Sequence, residues 1–427
     1  MRRRKNETGQ ALVLTALSLF VLIGFAGLGI DMGVLRYERR LQQTAADAAA
    51  IAGVNDIRYS SGTGVVGAGK DASSKNGFTD GVNNVTVTIN HNPGPTTGPH
   101  TGDSNYVEAF VTAVQPTYFM RIFNVPSKTV TTRAVATLVG ENSTSPGCVY
   151  TLGPPGTGVG VTTGGTPTVN APTCGFYDAG NFTTNGSRVD ISAGNIGVVG
   201  TDKNNGGGTV TCAASPTDCP VTGVPPTGDP LSFLAPPCSP CSGGANLNIS
   251  SSQTVSPGTY GSISITGGTV DFQPGTYIVN GNLTINGNAI VCNSTNTDCS
   301  GMPGSENAGV TFYIDNGGSI SINGTSTVQF SAPNSGTYAG ILFYQDPSDT
   351  STATLNGTNS SFFQGGLYFP SAQLTFGGTN FTNASAAYTL IVANDLKFNG
   401  TATVNINSNY SSLPGSVSII KNAILVE

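Results

Sequence analysis

Charged side chains are scarce in this chain, at 9% of 427 residues against roughly 25% in an average soluble domain. Such a composition does not suit a helical bundle, a coiled coil or an ordinary cytosolic α/β enzyme. Tryptophan is absent, methionine occurs four times and histidine twice. The two histidines, His91 and His100, share one Pro/Gly-rich loop, which argues against a His-dependent catalytic triad. Basic residues are unevenly spread: eight of the 17 lie in residues 1–58, whereas residues 204–427 hold only Lys397 and Lys421. Without a basic stripe to neutralise phosphates, the long C-terminal part is not expected to bind nucleic acid. No Gly-x-Ser-x-Gly elbow, His-Glu-x-x-His pair or phosphate-binding loop occurs. The net charge of -6 speaks only to solubility.

What is present is 58 Gly and 25 Pro among Ser, Thr and Asn, together with 19 Phe and 14 Tyr. Disordered chains lack that aromatic content, so the expected class is mainly β, with many short strands and tight turns.

Arg2, Arg3, Arg4 and Lys5 precede Ala11–Ile30, twenty residues without a charge. That length in helical form spans the hydrocarbon core of a bilayer. A cleaved signal peptide is the competing reading, but its apolar core is usually shorter. Here Asp31, Arg36, Glu38, Arg39 and Arg40 intervene before the next alanines, so a retained transmembrane helix is expected. The helical pattern continues through Leu41, Ala45, Ala48 and Ala52 to a stop expected at Gly53. Gly29 and Gly33, four apart, together with Ala45, Ala48 and Ala52, form a small-residue face suited to packing against another helix. The alternative is an Ala-rich helix lying on its own domain.

Eight cysteines, Cys148, Cys174, Cys212, Cys219, Cys238, Cys241, Cys292 and Cys299, all follow this segment. Their even number and the shortage of imidazoles favour disulfides in an oxidising compartment over zinc. Cys212–Cys219 and Cys292–Cys299 each enclose six polar or small residues and read as loops pinched by a local disulfide. Cys238-Ser-Pro-Cys241 lacks the βαβ context of a redox pair. Because the cysteines need an oxidising side, the expected topology is N-terminus in the cytoplasm and everything after Asp31 outside.

Several N-terminal motifs resemble a known family: Thr8-Gly9-Gln10-Ala11-Leu12-Val13, then Gly29-Ile30-Asp31-Met32-Gly33, then Leu41-Gln42-Gln43-Thr44-Ala45-Ala46-Asp47-Ala48-Ala49-Ala50. The arrangement looks like the N-terminal segment of TadG-like proteins of the tight-adherence (Tad/Flp) pilus assembly system. The resemblance covers about 55 residues and extends more weakly to Gly140. It implies a single-pass inner-membrane protein whose partners are other pilus-assembly or pseudopilin-like proteins, reached through the N-terminal helix. Two features depart from the family's patterns. Prepilin-like members have Glu five residues after the processing glycine, whereas Leu14 stands there when counted from Gly9. The nearest match to a von Willebrand A-type metal motif, Asp71-Ala72-Ser73-Ser74-Lys75, ends in Lys, so no metal or other cofactor is inferred.

Beyond the anchor, Val85–Ile89, Val107–Val114 and Val130–Val139 alternate apolar and polar residues, as half-buried strands do. They predict a small α+β domain within 31–140, after a basic cytoplasmic tail (1–10) and the transmembrane helix (11–30). Residues 141–245, rich in Pro, Gly and Cys, read as an irregular β region. From 246 to 427, runs of three to five strand-forming residues alternate with steps such as Asn286-Gly287 and Asn399-Gly400, and Pro257-Gly-Thr-Tyr260 recurs as Pro274-Gly-Thr-Tyr277, echoed at Ser335–Tyr338. These features predict a right-handed parallel β-helix, with an antiparallel β-sandwich as the alternative.

Polysaccharide-acting enzymes built on such folds need clustered acids, usually with Arg or Lys beside them. Asp271, Asp298, Glu306, Asp315, Asp346, Asp349, Asp395 and Glu427 have no Arg or His near them in sequence, and Asp346 and Asp349 read as turn caps. A non-enzymatic envelope protein assisting assembly or anchoring of a Tad/Flp-type pilus is the leading expectation. A surface adhesin or carbohydrate-binding module on the same anchor, with glycans as partners, is the alternative, and a polysaccharide-acting enzyme comes third.

Overall fold

The computed structural model describes residues 8–60, 64–140, 147–214, 216–238, 240–293, 299, 309–315, 317–323, 325–379, 381–413 and 418–427. The expected basic residues 2–5, and Asp298 and Glu306, lie outside them. The chain divides into two compact units, one comprising residues 1–139 and 421–427, the other residues 140–420. The second unit is thus inserted between two strands of the first.

In the first unit, helix α1 (Thr8–Ser60) is continuous for 53 residues, about 80 Å at 1.5 Å per residue. Its sequence contains no proline to interrupt the backbone ladder. Contrary to expectation, Gly53 does not end the helix. It is buried, and a Cβ there would come within 2.8 Å of Val107 and 3.2 Å of Val65. The glycine serves close packing rather than termination. After α2 (Val65–Lys75), strands β1 (Val85–Asn90), β2 (Tyr106–Pro116) and β3 (Ser127–Gly140) realise the three alternating runs. β1 pairs antiparallel with β2, and β2 with β3. The C-terminal strand Lys421–Leu425 adds to β3, a pairing the sequence reading missed. Val87, Ile89, Val107, Ala109, Val111, Ala134 and Ala136 line the sheet face against which α1 packs.

The second unit is a large sheet of short strands, 24 among the described residues, and its strand pairings are parallel. A sandwich would need antiparallel neighbours. From Leu247–Ile249 to Thr327–Ser331 each strand pairs with the third one on, and beyond that the offset shortens to two or one; either way columns of equivalent residues result. One column runs Ile263, Leu283, Ile320 through direct register pairs. Another runs Tyr277, Phe312, Phe343, Leu367, Ile391, Val149, Phe176 and Ile196. All of these side chains are buried. Stacking like residues on like at each rung buries apolar surface continuously, which short strands separated by Gly and Asn turns could not do individually. Aromatic pairs such as Phe376 and Phe398, stacked with ring centroids 6.0 Å apart, mark the same repetition.

Spatial order departs from chain order. Strand Gly147–Thr151 pairs with Thr389–Gly400, and Thr168–Asp178 pairs with Thr403–Asn405, so the Pro/Gly/Cys-rich region expected to be irregular extends the same sheet beyond its last rungs. The Gly-Thr-Tyr repeat does not mark equivalent rung positions. Gly258–Tyr260 and Gly275–Val279 are paired strands, but Gly258 stands opposite Tyr277, so the two motifs are two residues out of register, and Ser335–Tyr338 lies outside any strand.

Candidate functional site

The apolar stretch of α1 leaves its side chains uncovered: Leu12–Leu14, Leu19–Ile23 and Phe25 are exposed. Among the described residues, this is the one helix long and apolar enough to cross a membrane. Further along, the same helix is drawn onto its own sheet by an alanine face. Ala45, Ala46, Ala49 and Ala50 are fully buried there. Small side chains allow the approach, and two glutamines fix it. Gln42 donates to the carbonyl oxygens of Val111 (2.9 Å) and Val130 (2.8 Å), and Gln43 to that of Arg133 (2.9 Å). α2 closes over the helix, where a Cβ on Gly69 would lie 3.1 Å from the Ala49 carbonyl oxygen.

The residues expected to form one helix-packing face therefore separate. Ala45 belongs to the core of its own unit, and Ala48 and Ala52 are half-buried. Gly29 and Gly33 face open space, with nothing within 4 Å of where a Cβ would stand.

Asp31 has a role the motif alone did not disclose. Its carboxylate accepts three backbone N–H bonds from the β2–β3 loop: Tyr118 (2.9 Å), Phe119 (2.9 Å) and Met120 (2.6 Å). One helical turn earlier, Gly27 receives the Phe119 ring. A lone acid at the end of an apolar run was the available signal, and the aromatic run Tyr118–Phe123 was the other half of it. Deeper in the sheet, Glu108 is buried and accepts from Asn90 (2.9 Å), from the Thr96 amide (2.8 Å) and hydroxyl (2.7 Å), and from Arg133 Nε (2.7 Å). Burial alone would raise its carboxyl, but these donors outweigh it and hold the pKa at about 2. Arg133 also pairs with Glu427, tying the C-terminal strand to the same network.

In the second unit the eight cysteines pair as Cys148–Cys174, Cys212–Cys219, Cys238–Cys241 and Cys292–Cys299. The third pair sits in a strap, residues 223–246, that returns from the last strand of the sheet to its first. The strap covers an outward column of aromatics in which Tyr313 pairs with Tyr344, Tyr344 with Tyr368, and Tyr150 with Tyr177. Leu231 is completely buried against this column. Tyr344 donates to the Leu234 carbonyl oxygen (2.8 Å), Tyr338 to that of Ala235 (2.9 Å), and Tyr368 to Asp229 (2.7 Å). Burial pushes these phenols up, with Asp229 adding to the effect at Tyr368.

Three of the acids weighed for chemistry accept hydrogen bonds from nearby amides and a tyrosine. Asp346 accepts from the Ser348 amide (2.8 Å) and Tyr313 (2.6 Å), Asp349 from the Ser351 amide (2.8 Å), and Asp315 from the Cys241 amide (2.7 Å). Asp71 of the near-match to the metal motif lies on α2 and pairs with Lys75 at 2.6 Å. Among the described residues, no three His, Cys, Asp or Glu side chains gather as a metal-ligand set.

A membrane-length helix whose far end is built into a small α+β unit, with a large parallel β unit inserted in it, defines the class of protein. Residues 9–56, nearly the whole of α1, match the family described as putative Flp pilus-assembly TadE/G-like. No curated protein and no solved structure matches the chain.

Proposed function

We propose that the chain is a single-pass, non-enzymatic envelope protein that assists assembly or anchoring of a Tad/Flp-type pilus. The match of residues 9–56 to the TadE/G-like family carries the reading. The apolar half of α1 anchors the chain in the inner membrane. The four disulfides support an extracytoplasmic location for everything after Asp31. Because the alanine face is occupied by the chain's own sheet and α2, a partner helix of the pilus machinery meets α1 at Gly29 and Gly33, where backbones can approach closely.

The parallel, three-strand-offset register supports the right-handed parallel β-helix reading of the inserted unit, a rigid body displayed outward. The test is deletion of the gene in its host, with complementation by the intact chain and by a Gly29→Leu, Gly33→Leu variant. Loss of surface pili on deletion, restored by the intact chain but not by the variant, is expected. Normal piliation after deletion contradicts the proposal.

A second reading, that of a glycan-binding adhesin on this anchor, draws on one observation. Ser264, Thr284, Ser321, Thr354 and Thr375 stand at successive register positions, all partly exposed, as a hydroxyl ladder. Binding of the whole protein to a glycan array through this ladder, abolished by Thr284→Val with Thr354→Val, would favour it.

A further inference from the structure

The β2–β3 loop carries an apolar surface that its own unit does not cover. In Tyr118-Phe119-Met120-Arg121-Ile122-Phe123, Tyr118 is 62% exposed, Ile122 79% and Phe123 65%. Isolated exposed apolar residues are ordinary, but three within six residues at one loop tip form a patch. Two independent contacts fix where that patch sits. Asp31 holds the three amides of Tyr118–Met120, and the Phe119 ring occupies the space left by Gly27. Asp31 is the first charge after the uncharged run Ala11–Ile30, and Gly27 lies inside that run, about 6 Å back along the helix. The loop is therefore clamped beside the end of the apolar span, level with the exposed Phe25 and Ile30. The exposed Arg36, Arg39 and Arg40 follow on α1 just beyond.

We propose that this loop is a second membrane contact, with Tyr118, Ile122 and Phe123 inserted into the interfacial layer of the leaflet from which α1 emerges. The occupant is lipid, because the patch is continuous with the apolar surface of the span. Aromatic side chains favour the headgroup level, and an apolar face inserts about 5–10 Å into the boundary between headgroups and acyl chains. Asp31 can sit beside that boundary because its charge is met by three amides of the inserting loop. The consequence is orientational. A single helix leaves its extramembrane unit free to tilt and rotate, whereas a second contact beside it sets which side of α1, and so whether Gly29 and Gly33, remains open to a neighbour.

This inference rests on the reading of α1 as a membrane anchor, and the experiment separates the two. The chain contains no tryptophan, so Ile122→Trp and Phe25→Trp each give the full-length protein a single reporter. Each variant is reconstituted in phosphatidylcholine vesicles, with and without lipid brominated near the glycerol end of its acyl chains, after circular dichroism confirms the native β spectrum. Bromine quenching of both reporters, with Ile122→Trp losing at least half the fraction of emission lost by Phe25→Trp, is expected. Quenching of Phe25→Trp alone, with Ile122→Trp emitting as in water, overturns the loop contact and leaves the anchor standing. Unquenched but blue-shifted emission from Ile122→Trp assigns the loop to a second copy of the chain and also overturns it. Quenching of neither reporter overturns the anchor and the loop contact together.

Discussion

Gly27 and Phe119 meet so closely that a Cβ on Gly27 would stand 2.5 Å from the Phe119 ring. Replacing Gly27 with Leu must expel the ring, and overpacking of this kind costs about 1–3 kcal/mol. The expected readout is faster amide hydrogen exchange at Tyr118, Phe119 and Met120, with exchange in β1 unchanged.

Removing the acceptor should release the same loop by another route. Asp31→Ala strips three amides of their charged partner. Hydrogen exchange at these amides should approach that of an unprotected loop, whereas Asp31→Asn, which keeps one carbonyl acceptor, should retain part of the protection.

Acid should weaken the first unit through Glu108. Its folded pKa of about 2 lies below the ordinary 4.5, so the stabilisation is complete above about pH 4.5 and is lost as pH falls towards 2. By linkage, about 2 kcal/mol of it has gone by pH 3. Glu108→Gln should destabilise the unit at pH 7 by about 3 kcal/mol, since it leaves Arg133 without its buried partner. The variant should also show a correspondingly smaller loss between pH 7 and pH 3 in urea titrations followed at β2.

The disulfides should contribute unequally. In the chain-entropy account, closing the 26-residue separation of Cys148–Cys174 stabilises by about 3.5 kcal/mol, and the 3-residue separation of Cys238–Cys241 by about 1.6 kcal/mol. Paired Cys→Ser variants should rank in that order in thermal melts. For the strap, Leu231→Ala should cost about 2–5 kcal/mol of local stability, more than removal of the neighbouring disulfide, because a buried side chain is lost from the tyrosine column.

The sequence discloses what is periodic and local. The period-two runs at Val85, Val107 and Val130 became β1, β2 and β3, and the short runs from Ser262 to Ile406 fall on strands of the parallel sheet. What it conceals is non-local. Nothing in Gly147–Thr151 indicates that it stacks on Ile391, more than two hundred residues away, because a parallel rung is specified by compatible side chains and not by neighbouring chain. The same reason hid the strap's place on Tyr313–Tyr368 and the return of Lys421–Leu425 to β3. Gly53 misled because glycine that ends a helix and glycine that admits a neighbouring side chain look alike in one sequence. At the candidate site, the small residues were legible, but not that Ala45 would go to the chain's own sheet while Gly29 and Gly33 face open space. Ala48 and Ala45 have identical side chains, and only helix rotation against β2 separates their roles.

The account stands on α1 holding the chain in a bilayer with all eight cysteines on the oxidising side. Carbonate extraction followed by maleimide–polyethylene glycol labelling tests this directly in cells expressing the full chain. The predicted result is a protein retained in the membrane pellet, unlabelled before reduction and carrying eight adducts after it. A carbonate-soluble protein labelled at all eight positions without reductant would contradict the account.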